Sequence, residues 1–222
     1  MSNFVELFLR FWPDLLSGAG MTLLLTIEGL SAGFVLGMLA ALGRTYGGKV
    51  WRALAVAYIE LFRGTPLLMQ VFLLYYGLPG LGITLSREAA AFLALAINSG
   101  AYQAEYLRGS MLAIGEGQML AGRAIGLSRW GTIFYIILPQ ALRLAIPAWA
   151  NEPVSLLKST AVVFLIAVPE LMAKAKAIAA KTYDPIGAYL VVAVIYLVMV
   201  YLLDAFMKGV EKKTQIPGFD AK

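Results

Sequence analysis

Five apolar stretches, at about residues 15–42, 53–77, 88–112, 146–168 and 186–207, constrain this chain more than any other feature. Each reaches the length of about 20 residues that an α-helix needs to cross the hydrocarbon core of a bilayer. Lipid offers no partner to a backbone N–H or C=O, and a helix satisfies both within one segment. The sequence therefore predicts an all-α integral membrane protein with five transmembrane helices. Composition agrees, because only 14% of the residues are charged, against about a quarter in a soluble domain. Cysteine and histidine are both absent, which removes disulfides, thiol and imidazole nucleophiles and most transition-metal sites. The net charge of +5 would point to nucleic acid in a soluble protein. Here the basic residues sit in loops, where topology explains them, and no nucleic-acid partner is expected.

Those loops set the expected orientation. Arg44, Lys49 and Arg52 lie between the first two stretches, and Arg123, Arg129 and Arg143 between the third and fourth. Cytoplasmic loops are enriched in such residues, so both loops are placed inside, the N-terminus outside, and the tail at 209–222 inside. The segment 169–185 runs against the rule, with Lys174, Lys176 and Lys181 on the outer side. Residues 1–14 lack a cationic leader and a small-residue cleavage site. They read as an amphipathic helix lying on the membrane surface, ahead of a membrane domain at 15–208.

The loop at about residues 115–146 is too long to be slack and has helical content on both sides of Gly126. Gln118 to Ile125 can form two turns, with Gly126 leaving the helix in a left-handed conformation. Trp130 to Leu138 can form a second helix, and Pro139 can start a third where no backbone donor is needed. Short helices projecting from a membrane have little of their own chain to bury against. The loop is predicted to dock into another protein.

Within the spans, Gly29, Gly33 and Gly37 recur every four residues and form a smooth ridge for close helix approach, inside the subunit or between subunits. Pro66, in the run Arg63-Gly64-Thr65-Pro66, must break the second stretch, as Pro147 and Pro153 interrupt the fourth. Broken helices at membrane depth line cavities. Gly43 to Val50 approximates a phosphate-binding loop, yet Val50 replaces the hydroxyl that would hold magnesium and no strand precedes it. This chain is expected to bind no cofactor.

The central loop resembles the signature of the inner-membrane permease subunits of bacterial and archaeal ABC importers: E-A-A, three residues, G, nine residues, I-x-L-P. Here it stands as Leu120-Ala121-Gly122, Gly126 and Ile136-Ile137-Leu138-Pro139, with both gaps conserved in length. The polar amino-acid branch of that family is similar also at Arg63-Gly64-Thr65-Pro66-Leu67, at Ala101-Tyr102 with Glu105, and at Gly117-Gln118. The likeness continues through Pro139-Gln140-Ala141-Leu142-Arg143, Asn151-Glu152 and Lys158-Ser159-Thr160. It covers about residues 15–215.

The resemblance implies a type I importer fold and a multi-pass protein of the cytoplasmic membrane that catalyses nothing itself. It implies two ATP-binding cassette ATPase subunits carrying ATP and magnesium, a second permease subunit (an identical copy or a relative), and an external substrate-binding protein. Gly117, Gln118, Ala121, Arg123, Gly126, Leu127 and Pro139 become the ATPase-coupling residues. Two positions depart, with Leu120 for the usual glutamate and Gly122 for the second alanine.

Ionisable residues at membrane depth are functional candidates. Glu60, Arg63, Glu105 and Glu152 fall toward the cytosolic ends of their spans, where mutual pairing near a gate is expected, with Arg63 and Pro66 at the gate. Glu28 and Lys158 fall near mid-span. Either they neutralise each other or they face the path, which would also involve Asn98, Glu105 and Glu152. Four acids against two bases within the spans favour a basic over an acidic amino acid. An ion-coupled carrier and an intramembrane hydrolase using Ser155 and Lys158 are the rival classes.

Overall fold

The computed structural model describes residues 4–214, and among these no strand occurs. The helices are α1 (Phe4–Tyr46), α2 (Lys49–Gly64), α3 (Leu67–Phe72), α4 (Arg87–Ala113) and α5 (Glu116–Ala124), followed by α6 (Arg129–Thr132), α7 (Leu138–Trp149), α8 (Asn151–Ser159), α9 (Leu171–Thr182) and α10 (Pro185–Thr214). Residues 1–3 of the expected surface segment and 215–222 of the expected tail lie outside the described residues.

The glycine ridge explains how α1 and α4 come together. A Cβ on Gly29 would meet Leu95, one on Gly33 would meet Gly100 and Gln103, and one on Gly37 would meet Gly100 and Ala104. The ridge is used inside the subunit. α4 is consequently buried along its length, through Ala90, Ala94, Ala101 and Leu107, with Leu25, Leu156 and Val163 packed around its first half.

Three features differ from expectation. The N-terminal segment is no separate surface helix, because α1 continues unbroken for 43 residues, about 65 Å at 1.5 Å per residue. Leu7, Phe11 and Leu15 are buried against Leu171, Ala175 and Ile178 of α9 and Val191 of α10. The three lysines that ran against the expected charge rule each have a partner here. Lys174 pairs with Asp14 at 3.3 Å, while the ammonium groups of Lys176 and Lys181 lie over the rings of Phe164 and Phe11.

The second difference concerns Pro139, which starts no new helix. Arg129–Trp149 is one helical run of 21 residues, because a π-helical turn at Ile133–Ile137 precedes the proline and the Leu138 N–H bonds five residues back to Ile133 O. The loop proper therefore ends near Ser128, and the helix after it is itself long and apolar enough to cross a membrane.

Third, the helices that pass on length and apolarity are α1, Arg129–Trp149 and α10, joined by two bent pairs, Lys49–Gly64 with Leu67–Leu81 and Asn151–Ile166 with Leu171–Thr182. The expected span 88–112 is absent from that set because α4 carries Asn98, Ser99, Gln103, Glu105 and Arg108. Protein rather than lipid surrounds it.

Candidate functional site

The break at Pro66 builds one wall of a polar cavity. Thr65 is held extended at φ −116° and ψ 143°, as the residue before a proline must be, and the chain turns through 105° between α2 and the helical run after it. The carbonyls freed by the break are recovered by buried Gln70, whose Nε2 donates to Phe62 O at 2.9 Å and Thr65 O at 3.1 Å. Asn98 Nδ2 also donates to Phe62 O, at 3.2 Å, and to Gln70 Oε1, at 3.1 Å.

Two helix faces complete the cavity, which has a volume of about 460 Å³. Asn98, Tyr102 and Tyr106 repeat every four residues on α4, and Glu152, Ser155, Leu156 and Ser159 share one face of α8. From the break come Arg63, Gly64, Thr65, Pro66 and Leu67. The Arg63 guanidinium lies 5.3 Å from the centroid of the Tyr102 ring. Glu152 is only 5% exposed, and its Oε1 accepts from Ser99 Oγ at 2.7 Å. A guanidinium and a carboxyl group thus border one polar cavity.

Below this cavity Glu105 gathers arginines from three helices. It accepts from Arg44 Nη1 at 2.7 Å and from Arg108 Nη2 at 2.8 Å, with Arg63 Nη1 3.9 Å away. Arg44 also approaches Glu60 at 3.8 Å. The expected pairing of Glu60, Arg63 and Glu105 is therefore present, but Glu105 belongs to this network and not to the cavity wall. Glu152 takes no part in the pairing.

Glu28 and Lys158 do not meet the expectation set for them. Glu28 is exposed on α1 and Lys158 is exposed on α8, where it borders an apolar recess with Met172, Tyr189 and Tyr196. Among the described residues no ion pair joins them, and neither lines the polar cavity. Three residues apart on a helix, Ser155 and Lys158 border different recesses, so no hydrolase dyad is assembled. The sequence reading missed Gln70 and Gln103. Both are neutral amides whose partners lie on other elements: Gln70 serves the break at Pro66, and Gln103 joins Leu30 of α1 to the Trp149 indole.

The coupling loop has the conformation expected at its glycine. Gly126 has φ 87°; its N–H bonds to Arg123 O and the Leu127 N–H reaches back to Gly122 O, closing α5 in a left-handed cap. Ser128 then caps α6, with its Oγ accepting from Gly131 N at 3.0 Å. Only Gly122 of α5 is buried. Gly117, Gln118, Leu120, Ala121 and Arg123 are exposed, as are Gly126 and Pro139, while Leu127 is half-buried. Leu120 and Ile125 are 68% and 75% exposed, an apolar surface that the rest of the chain leaves uncovered.

Comparison with known proteins agrees with this geometry. Residues 33–216 match the family described as "Binding-protein-dependent transport system inner membrane component". The glutamine transport system permease protein of Escherichia coli strain K12 is 42% identical over 173 residues, 77% of this chain and 79% of that one. The L-cystine transport system permease protein of Bacillus subtilis strain 168 is 39% identical over 176 residues, 79% and 75% of the two chains. Among solved structures, a crystal structure described as an amino acid ABC transporter with histidines superposes with a TM-score of 0.88 at 35% identity, covering 96% of this chain and 99% of the other. The inward-facing MetNI methionine ABC transporter shares the fold, with a TM-score of 0.76 at 21% identity. The chain catalyses no hydrolysis itself and works with a separate ATPase and a substrate-binding protein, and it belongs to the inner-membrane permease subunits of binding-protein-dependent ABC importers.

Proposed function

We propose that this permease admits a polar, zwitterionic amino acid, and that the cavity between Arg63 and Glu152 is where the amino acid is held in transit. The observation that carries this reading is the presence of one guanidinium and one carboxylate on the lining of a single cavity of about 460 Å³, complementary to an α-carboxylate and an α-ammonium group. The relatives named for glutamine and L-cystine transport point the same way. With one charge of each sign on its wall, the cavity gives no preference for a basic side chain. The lean toward a basic amino acid rested on four acids against two bases within the spans, and of those six residues only Arg63 and Glu152 line the cavity.

In the assembled importer two ATPase subunits carrying ATP and magnesium grip α5, a second permease chain completes the path, and an external binding protein delivers substrate. The N-terminus is outside and the C-terminus inside, with five crossings at about residues 15–42, 53–77, 88–112, 146–168 and 186–207; α4 is the third of them and delivers α5 to the ATPase side. Glu28 and Lys158 then contact water or a neighbouring chain, since a charge facing lipid is expensive.

The test is uptake of radiolabelled L-glutamine and L-arginine into proteoliposomes holding the whole importer and its binding protein. Glu152→Gln and Arg63→Gln should each lower uptake at least about tenfold, the scale of removing one partner from a desolvated charge contact. Glu28→Gln should leave it near wild type. Unchanged uptake in both cavity variants would overturn the assignment.

A further inference from the structure

Gln103 is fully buried on α4, one turn after Ser99, and lies outside the cavity wall. Its carbonyl Oε1 accepts from the indole Nε1 of Trp149 at 2.7 Å. Its Nε2 donates to Leu30 O at 3.1 Å and to Ser99 Oγ at 3.0 Å. Ser99 in turn donates to Glu152 Oε1 at 2.7 Å. The direction of this chain is forced from its ends, because an indole only donates and a main-chain carbonyl only accepts. With Trp149 and Leu30 in place the amide has one allowed orientation. Ser99, already accepting from it, must point its own proton at Glu152.

The two ends of the relay belong to different machinery. Trp149 is the last residue of the helical run that begins at Arg129, directly after the coupling loop, and its ring also packs edge-on against Phe34 of α1 at 6.4 Å. Glu152 stands three residues later, beyond the single residue that separates α7 from α8. Gly33 makes room for the crossing, since a Cβ there would lie 2.9 Å from Gln103 Nε2.

We propose that Gln103 is a positioning residue that ties the hydrogen bonding of Glu152 to the placement of the helical run Arg129–Trp149, which follows the coupling loop, through Trp149. Withdrawal of the Trp149 indole removes one of the two groups that fix the amide, and the Ser99 proton is then held on Glu152 less firmly. Occupation of the cavity and movement of the Arg129–Trp149 run are thereby two biases on one hydrogen-bond arrangement. The inference rests on the reading of the Glu152 cavity as the transit site.

The experiment uses the whole importer in proteoliposomes, with binding protein loaded with L-glutamine or L-arginine. Basal ATP hydrolysis, stimulated hydrolysis and the melting temperature are measured for Gln103→Met, Trp149→Phe and the double variant. The relay predicts wild-type basal hydrolysis with the stimulation ratio reduced at least about fivefold, the lower range of coupling between sites, in each single variant. The double variant should be no worse than either single one. A wild-type stimulation ratio in both single variants overturns the relay while leaving the cavity assignment intact. Basal hydrolysis and melting temperature falling in step with stimulation would overturn it also, as the mark of a merely structural bond. Failure of the cavity reading shows separately, as unchanged uptake in Glu152→Gln.

Discussion

Gly122 of α5 lies so close to Thr132 of α6 that a Cβ on the glycine would fall within the threonine side chain. Both residues are buried, so the glycine that replaces the usual signature alanine is the steric counterpart of this threonine. Gly122→Ala should therefore destabilise the packing of α5 on α6 by about 1–3 kcal/mol, the range for overpacking, although alanine has the better helix propensity. Substrate-stimulated ATP hydrolysis in the reconstituted importer should fall. Trimming the obstacle in Gly122→Ala/Thr132→Ala should restore it, and a single Gly122→Ala variant with wild-type coupling would show that the two helices separate freely.

Gly126 stands at a φ that L-residues with side chains avoid. A β-branched residue there is strained by about 1–2 kcal/mol and opens the cap that ends α5. Gly126→Val should leave the protein in the membrane but uncouple hydrolysis from uptake, measured as the ratio of ATP consumed to L-glutamine accumulated. An unchanged ratio would argue against ATPase docking at α5.

Glu105 joins α1, α2 and α4 through three arginines, whereas Arg87 and Glu88 form an exposed neighbouring pair. Replacing Glu105 by Gln leaves partly buried guanidinium groups under-satisfied, at about 1–3 kcal/mol. Replacing Glu88 by Gln should change stability by less than about 1 kcal/mol. Thermal unfolding of the purified permease in detergent should separate the two variants by several degrees. Equal melting temperatures would reduce the Glu105 network to surface chemistry.

The proposed orientation can be read directly, since the chain has no cysteine. Ser128→Cys should resist an impermeant thiol reagent added to intact cells and react after permeabilisation. Labelling from outside would invert the topology and remove α5 from the reach of any cytosolic ATPase.

Much of this protein was legible in one dimension. Long apolar runs dictate helices because lipid leaves backbone groups no other partner, and Gly126 and Pro66 announce local geometry that their own chemistry imposes, a left-handed cap and a broken helix. The ridge at Gly29, Gly33 and Gly37 announced close approach, but only the tertiary structure decided that the partner is α4. Pro139 misled because a π-helical turn, which depends on the fit of neighbouring helices, carries the chain past it. Charges misled most. Glu28 and Lys158 stand at the expected depth, yet depth along a helix does not tell which way a side chain faces, and that angle separates the lining of a cavity from its outer surface. Gln70, Gln103 and Glu152 acquire their meaning from partners 28 to 73 residues away in sequence. Hydrogen bonds of that reach exist only once the helices have packed.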